Sequence, residues 1–151
     1  MKMKIIPALA IALFTAACHS NTRESDNNSL SNIDIRGQWD IENITLSKTE
    51  SLNPAKLTPD TRQYFIFNDS SYSIRTNCNT ISGPYRRNGS DIQVEPLIMT
   101  RMACISMATE DALCKLLPRI EKLSVKSKDV IKLCGKEPSE YIILRKSTNE
   151  E

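Results

Sequence analysis

The chain has 151 residues, 40% of them hydrophobic and 25% charged, with a formal net charge of +2 at pH 7. That length supports one domain of ordinary size with a modest core. The near balance of charge argues against a nucleic acid partner or a strongly acidic one.

The chain opens with MKMKIIPALAIALFTAAC. Lys2 and Lys4 make a positive n-region, and Ile5 to Phe14 form an apolar stretch too short to span a bilayer comfortably. Thr15-Ala16-Ala17 then places small residues directly before Cys18. This resembles the lipobox of bacterial lipoproteins, although Thr15 stands where that pattern usually has Leu. Residues 1–17 are therefore expected to be a lipoprotein signal peptide, and Cys18 the lipidated, palmitate-bearing start of the mature chain. The alternative is ordinary secretory cleavage after Ala17. Two or more acyl chains anchor a protein stably where one does not. The residue after Cys18 is His19 rather than Asp, which directs the expectation to the outer membrane. Residues 19–33, HSNTRESDNNSLSNI, are too poor in large apolar groups to order themselves, so 18–34 reads as a lipidated flexible tether.

The domain proper is expected over residues 35–146. Trp39 and Ile41 alternate as in a half-buried strand, and the apolar phase then slips to Ile44 and Leu46, which predicts a bulge near Asn43. SLNPAKLTPD, with two prolines, reads as a loop. QYFIF and YSIRTN flank the turn residues NDSS and read as a hairpin. A second hairpin is expected where CNTISGPYRR and DIQVEPL flank Asn88-Gly89-Ser90. After Cys104 the period changes: Thr109 could cap a helix with Glu110 and Asp111 in its first turn, and Leu113, Leu116, Leu117 and Ile120 make its apolar stripe. Pro118 predicts a kink or an end near Leu117. LSVKS, VIKLC and YIILRK read as closing strands, and residues 147–151 as a disordered tail. The fold class is mostly β (α+β): a small antiparallel barrel-like sheet with one helix late in the chain, curled so that both edges are hidden.

With Cys18 assigned to lipid, Cys78, Cys104, Cys114 and Cys134 remain, which in an exported chain suggests two disulfides. Three pairings are possible; Cys78 with Cys104 and Cys114 with Cys134 is the one favoured. No C-x-x-C occurs and the sole histidine is His19, so no metal site and no cofactor are expected.

The chain resembles the META domain family (HslJ-like) over about residues 35–146. The anchors are Gly37-Gln38-Trp39, then Cys78-Asn79 followed by Gly83-Pro84-Tyr85, then Met99-Thr100-Arg101-Met102-Ala103-Cys104, then Glu110. Asn77 replaces a Gly that often precedes the Cys-Asn pair, Pro118 is unusual inside the helix, and Cys114 and Cys134 look like additions. The resemblance implies a small β-barrel with a helix, export or lipid anchoring, and a link to heat and drug stress of the cell envelope without a defined reaction. On this reading LIMTRMAC, residues 97–104, joins a strand to the helix, and Cys104 staples it to Cys78. Met99 and Met102 are expected to fill irregular core space, and Thr100 and Arg101 to hydrogen-bond nearby carbonyls. Alternatively Arg101 joins Tyr85, Arg86 and Arg87 in a surface patch with an anion-binding face.

Ser-His and Cys-His machinery have no histidine in the domain, and no Gly-x-Ser-x-Gly, Ser-x-x-Lys, His-Glu-x-x-His or phosphate loop occurs. The expectation is a non-enzymatic envelope module, with an unknown envelope protein as partner and the membrane reached through its lipid. The alternative is a lipocalin-like barrel for a small ligand, since Gly37-x-Trp39 also resembles the lipocalin opening. A binder of that kind needs an open apolar cavity, whereas an interaction module has a filled barrel and an exposed patch.

Overall fold

The computed structural model describes residues 33–96 and 98–148. The expected signal peptide, Cys18, nearly all of the tether and the end of the tail lie outside the described residues.

The elements in chain order are β1 (Gly37–Thr45), β2 (Ser51–Leu52), α1 (Pro54–Leu57), β3 (Tyr64–Phe67), β4 (Ser71–Arg75), β5 (Thr80–Asn88), β6 (Asp91–Val94), β7 (Ile98–Met99), α2 (Ala108–Leu116), a 3-10 turn (Leu117–Arg119), β8 (Ile120–Ser127), β9 (Val130–Gly135) and β10 (Tyr141–Lys146). Eight strands close into an antiparallel barrel in the order β1-β3-β4-β5-β6-β8-β9-β10, and β10 returns to β1. The expected mostly-β barrel with a late helix is therefore the fold. Closure removes the free edges an open sheet of this size would carry.

Period-two alternation turns one face of each strand inward. Phe65 and Phe67 of β3, Tyr72 and Ile74 of β4, and Ile92 and Val94 of β6 are all buried. Their rings pack together: Phe65 lies 5.5 Å from Phe67 and 6.3 Å from Tyr72, and Tyr85 meets the Phe67 ring edge-on at 5.3 Å. Ile131, Leu133, Ile142 and Leu144 fill the other side. Trp39 is wholly buried, donates from Nε1 to the Ile35 carbonyl at 2.7 Å, and has the Lys146 ammonium 4.7 Å from its ring centre.

The β1 bulge falls between Ile41 and Asn43, where the register with β10 shifts. It allows Ile44 to point inward after Trp39 and Ile41, and lets β1 pair with β3 over its first half and β2 over its last two residues. In the β5–β6 hairpin Asn88 pairs with Asp91, so the two turn residues are Gly89 and Ser90. Only Gly89 has a positive φ, at 60°, which matches the turn that requires glycine at its first central position.

Three local expectations are corrected. The SLNPAKLTPD stretch contains a short strand and one turn of helix, because Asn53 Oδ1 accepts from the Lys56 amide (3.1 Å) and Pro54 sits at the start, where its missing N–H costs nothing. Thr109 does not cap α2: the cap position is Met107, with no side-chain bond, and Thr109 is buried in the first turn. The Cys114–Cys134 disulfide does not form. Cys78 and Cys104 are joined, their Cα atoms 5.9 Å apart, while Cys114 and Cys134 are free thiols. Cys114 is on the outer face of α2 with Sγ 3.7 Å from Met99 Sδ, and Cys134 is on β9 opposite Tyr141 and Lys122. The two thiols have different neighbours. By contrast Pro118 acts as expected: α2 stops at Leu116 and the chain turns once more before β8.

α2 covers one mouth of the barrel with Leu113 and Leu116, both wholly buried. The following turn is fastened by Arg119, whose Nη2 lies 2.7 Å from Glu140 Oε1. Burial works against the Glu140 carboxylate, but the Arg119 hydrogen bond and the Glu137 amide outweigh it and hold its pKa below the usual range. A lowered carboxylate pKa contributes stability that is present above its unfolded value and lost as pH falls through the folded one. The stability difference between wild type and Glu140→Gln is accordingly expected to be largest near neutrality and to shrink in acid, as read by urea unfolding across pH. Gly135 closes β9 against the same residue: a Cβ there would lie 2.7 Å from Glu140 Cβ and 3.3 Å from Leu116 Cδ1. Gly135→Ala should therefore cost about 2 kcal/mol through overpacking and lower the melting temperature measured by circular dichroism.

Candidate functional site

The barrel mouth under α2 is organised around the turn between β4 and β5. Thr76 Oγ1 accepts from the amides of Cys78 (3.1 Å) and Asn79 (2.8 Å) and donates to the Asn79 carbonyl (2.8 Å), which forces a tight corner. Asn77 Nδ2 donates to the Ser106 carbonyl at 2.8 Å. Cys78 carries the disulfide to Cys104, which in the chain-entropy treatment of its loop stabilises by about 3.5 kcal/mol.

Asn79 is buried and its amide uses both ends. Oδ1 accepts from the Met102 amide (2.8 Å) and the Thr100 hydroxyl (2.9 Å). Nδ2 donates to the Met102 carbonyl (3.0 Å) and to Glu110 Oε2 (2.9 Å) in the first turn of α2. Thr100 continues the attachment, with its hydroxyl accepting from the Thr80 amide (3.0 Å) and its own amide donating to the Thr80 carbonyl (3.1 Å). Residues 98–104 are thus fixed by their backbone to the start of β5 at several points.

Because the backbone is fixed inward, the side chains project outward. Ile98 is 68% exposed, Met99 37% and Met102 59%, and Ile105 is fully exposed. The expectation that Met99 and Met102 fill the core is corrected on this ground. Arg101 is exposed, and no hydrogen bond or ion pair joins it to the described residues, so its expected bond to a carbonyl is not made. Between this segment and α2 lies an apolar groove of about 410 Å³, lined by Ile81, Pro96, Ile98, Met99, Arg101 and Cys114. Burial pushes the Cys114 thiol pKa up, and Glu110 and Asp111 push it the same way, so the thiol stays protonated at neutral pH and is a poor nucleophile.

The expected patch of Tyr85, Arg86, Arg87 and Arg101 is not assembled. Tyr85 is a core residue whose hydroxyl donates to the Asn68 carbonyl at 2.7 Å. Arg86 and Arg87 pair with Gln93 and Ile92 and line a separate recess of about 430 Å³. Arg101 belongs to the other end of β5, beyond the Ile81–Met99 register. Alternation explains the split: Tyr85 points in and Arg86 out, and β5 is long enough to keep its two ends apart. Of the other family positions, Gly37 has a φ of 104° opposite Phe67, and Gly83 lies opposite Tyr72, where no side chain obstructs the ring. The joint role of Asn79 and Glu110 was missed by sequence reading. Both residues stood among the family anchors, but nothing in the sequence pairs one with the other.

The META domain family model matches residues 31–148, a span that contains every anchor residue named above. Two solved structures are similar in fold. One is an NMR structure of a protein from Burkholderia xenovorans, with a TM-score of 0.62 at 16% identity over 99% of each chain. The other is a crystal structure of a duf4847 family protein from Bacteroides vulgatus, with a TM-score of 0.53 at 12% identity over 76% of this chain and 94% of that one. Among curated proteins none matches the chain.

Asn79→Ala removes both halves of the amide and leaves the Met102 amide and carbonyl without this partner. Each partly buried group so abandoned costs about 1 kcal/mol or more, and Glu110 loses its buried donor as well, so the variant should lose about 3 kcal/mol in denaturant unfolding and protect the 100–104 amides less in hydrogen exchange.

Proposed function

The chain belongs to the META domain family, and from that premise we propose that it is a non-enzymatic interaction module of the cell envelope, displayed on a lipid anchor at Cys18 and facing a protein partner. The observation that carries this reading is the pairing of a filled barrel with an exposed apolar rim attached by a disulfide and the Asn79 amide. Trp39, Phe65, Phe67, Tyr72 and the aliphatic residues of β8 to β10 occupy the interior, and the recesses described lie on the surface. Four large apolar side chains stand exposed on one segment, held there by a disulfide and the Asn79 amide. Apolar surface presented on a fixed backbone binds with little ordering cost.

The chemistry of Glu110 and Cys114 supports the non-enzymatic reading. Glu110 is buried against the Asn79 amide and serves the fold, and Cys114 is held as a thiol. The anchor is supported by the run Thr15-Ala16-Ala17-Cys18 after an apolar segment, and the outer membrane by His19 following the cysteine. An envelope-stress role is supported only by family membership.

Cys18→Ala is expected to move the protein from the membrane to the soluble fraction on cell fractionation; retention in the membrane would end the lipoprotein reading. Native mass spectrometry of that variant after exposure to envelope extract should show the bare chain mass. A discrete small-molecule adduct would instead restore the lipocalin-like reading.

A further inference from the structure

The barrel is closed unevenly. Every other pair of neighbouring strands around it shares at least four register positions, whereas β6 and β8 share one, Asp91 with Lys122, backed by the Leu123 amide donating to the Ser90 carbonyl at 2.7 Å. Beyond that point the two strands run on side by side without a further register position. A recess of about 520 Å³ opens between Val94–Pro96 on one side and Pro118–Glu121 on the other. It has one lining residue, Pro96, in common with the apolar groove beside β7. β7 borders the apolar groove through Ile98 and Met99. Its one ladder is to β5, through Ile81–Met99 and Ser82–Ile98, and its other edge meets no strand among the described residues.

We propose that the open edge of β7 takes up an extended segment of a partner protein by strand addition, with an apolar side chain of that segment in the groove and a carboxylate beside it on Arg101. The inference rests on the interaction-module reading and adds to it the surface and the chemistry of the partner. An unpaired edge offers directional N–H and C=O groups that an extended backbone satisfies. Ile81, Met99 and Cys114 supply an apolar recess for an alternate side chain. Arg101 carries a charge that no acidic group among the described residues compensates, which selects an acid in the ligand. The backbone bonds through Asn79 and Thr100 keep the edge extended before anything binds.

Position in the fold favours a protein over the chain's own membrane. The chain enters the barrel beside Arg87, which donates to the Ile33 carbonyl, and at Gly37 opposite Phe67. On β5, Arg87 and Ile81 are six residues apart, about 20 Å of strand. The groove therefore lies toward the opposite pole from the one at which the tether arrives.

The test pans a phage-displayed library of random heptapeptides against the chain carrying Cys18→Ala, then measures the enriched peptides by fluorescence polarisation. The expected peptides alternate apolar and polar residues and contain an acid. Their affinity should fall at least tenfold on Arg101→Glu and on Ile98→Asp, both exposed sites at which an unchanged melting temperature verifies folding. It should be unaffected by Arg86→Glu in the separate recess, and should fall when alternate peptide amides are N-methylated. No enrichment, or binding that responds to Arg86→Glu and not to Arg101→Glu, overturns the inference. Indifference to N-methylation overturns strand addition. Two further results would also overturn it: Arg101-dependent flotation with vesicles of phosphatidylethanolamine and phosphatidylglycerol would assign the face to lipid, and Ile98-dependent dimerisation in sedimentation would assign it to a second copy. None of these outcomes is a small-molecule adduct, so failure here is distinguishable from failure of the module reading itself.

Discussion

One buried amide does the work of a missing strand. The chain between β7 and α2 runs across a barrel mouth without a regular ladder, and its backbone groups need partners there. Asn79 bonds both the amide and the carbonyl of Met102, as a neighbouring strand would, and spends its remaining capacity on Thr100 and Glu110. A single side chain thereby fixes three things: the course of the connecting segment, the position of the first turn of α2, and the end of β5 from which it springs. The Cys78–Cys104 bridge binds the same segment covalently, one residue from Asn79. Remove the amide and the helix that plugs the barrel loses its registration with the sheet.

The exposed rim follows from this constraint. A backbone drawn inward by hydrogen bonds at residues 100 and 102 turns the intervening and flanking side chains out. Exposure of Ile98, Met102 and Ile105 is thus a consequence of satisfied polar groups, and it persists because the polar groups cannot be given up cheaply. The interior, meanwhile, is packed by aromatic rings on one side and aliphatic chains on the other.

The seam between β6 and β8 is the second consequence. Pro96 has no amide to donate, and Pro118 turns the chain into β8 after the helix. The two strands share a register position only at the hairpin end. The barrel is closed, and a recess along this seam has Pro96 in common with the groove beside the apolar rim.

The sequence by itself determined whatever depends on local period and turn chemistry. Alternation placed the strands, the phase slip at Asn43 placed the β1 bulge, glycine at 89 placed a hairpin, and Pro118 ended the helix. The run of alternating strands with a late helix pointed to the barrel, the favoured cysteine pairing included Cys78–Cys104, and the motif residues identified the family. What only the tertiary structure decided were relations between residues distant in the chain. Tyr85 proved to be core and Arg101 proved remote from Arg86 and Arg87, because inward or outward direction and position along a strand are set by register. Cys114 and Cys134 stayed apart because one lies on a helix face and the other on a strand with different neighbours. Met99 and Met102 faced solvent because hydrogen bonds to Asn79 and Thr80 overrode their apolar character, and no pattern of hydrophobicity records where a backbone amide finds its partner.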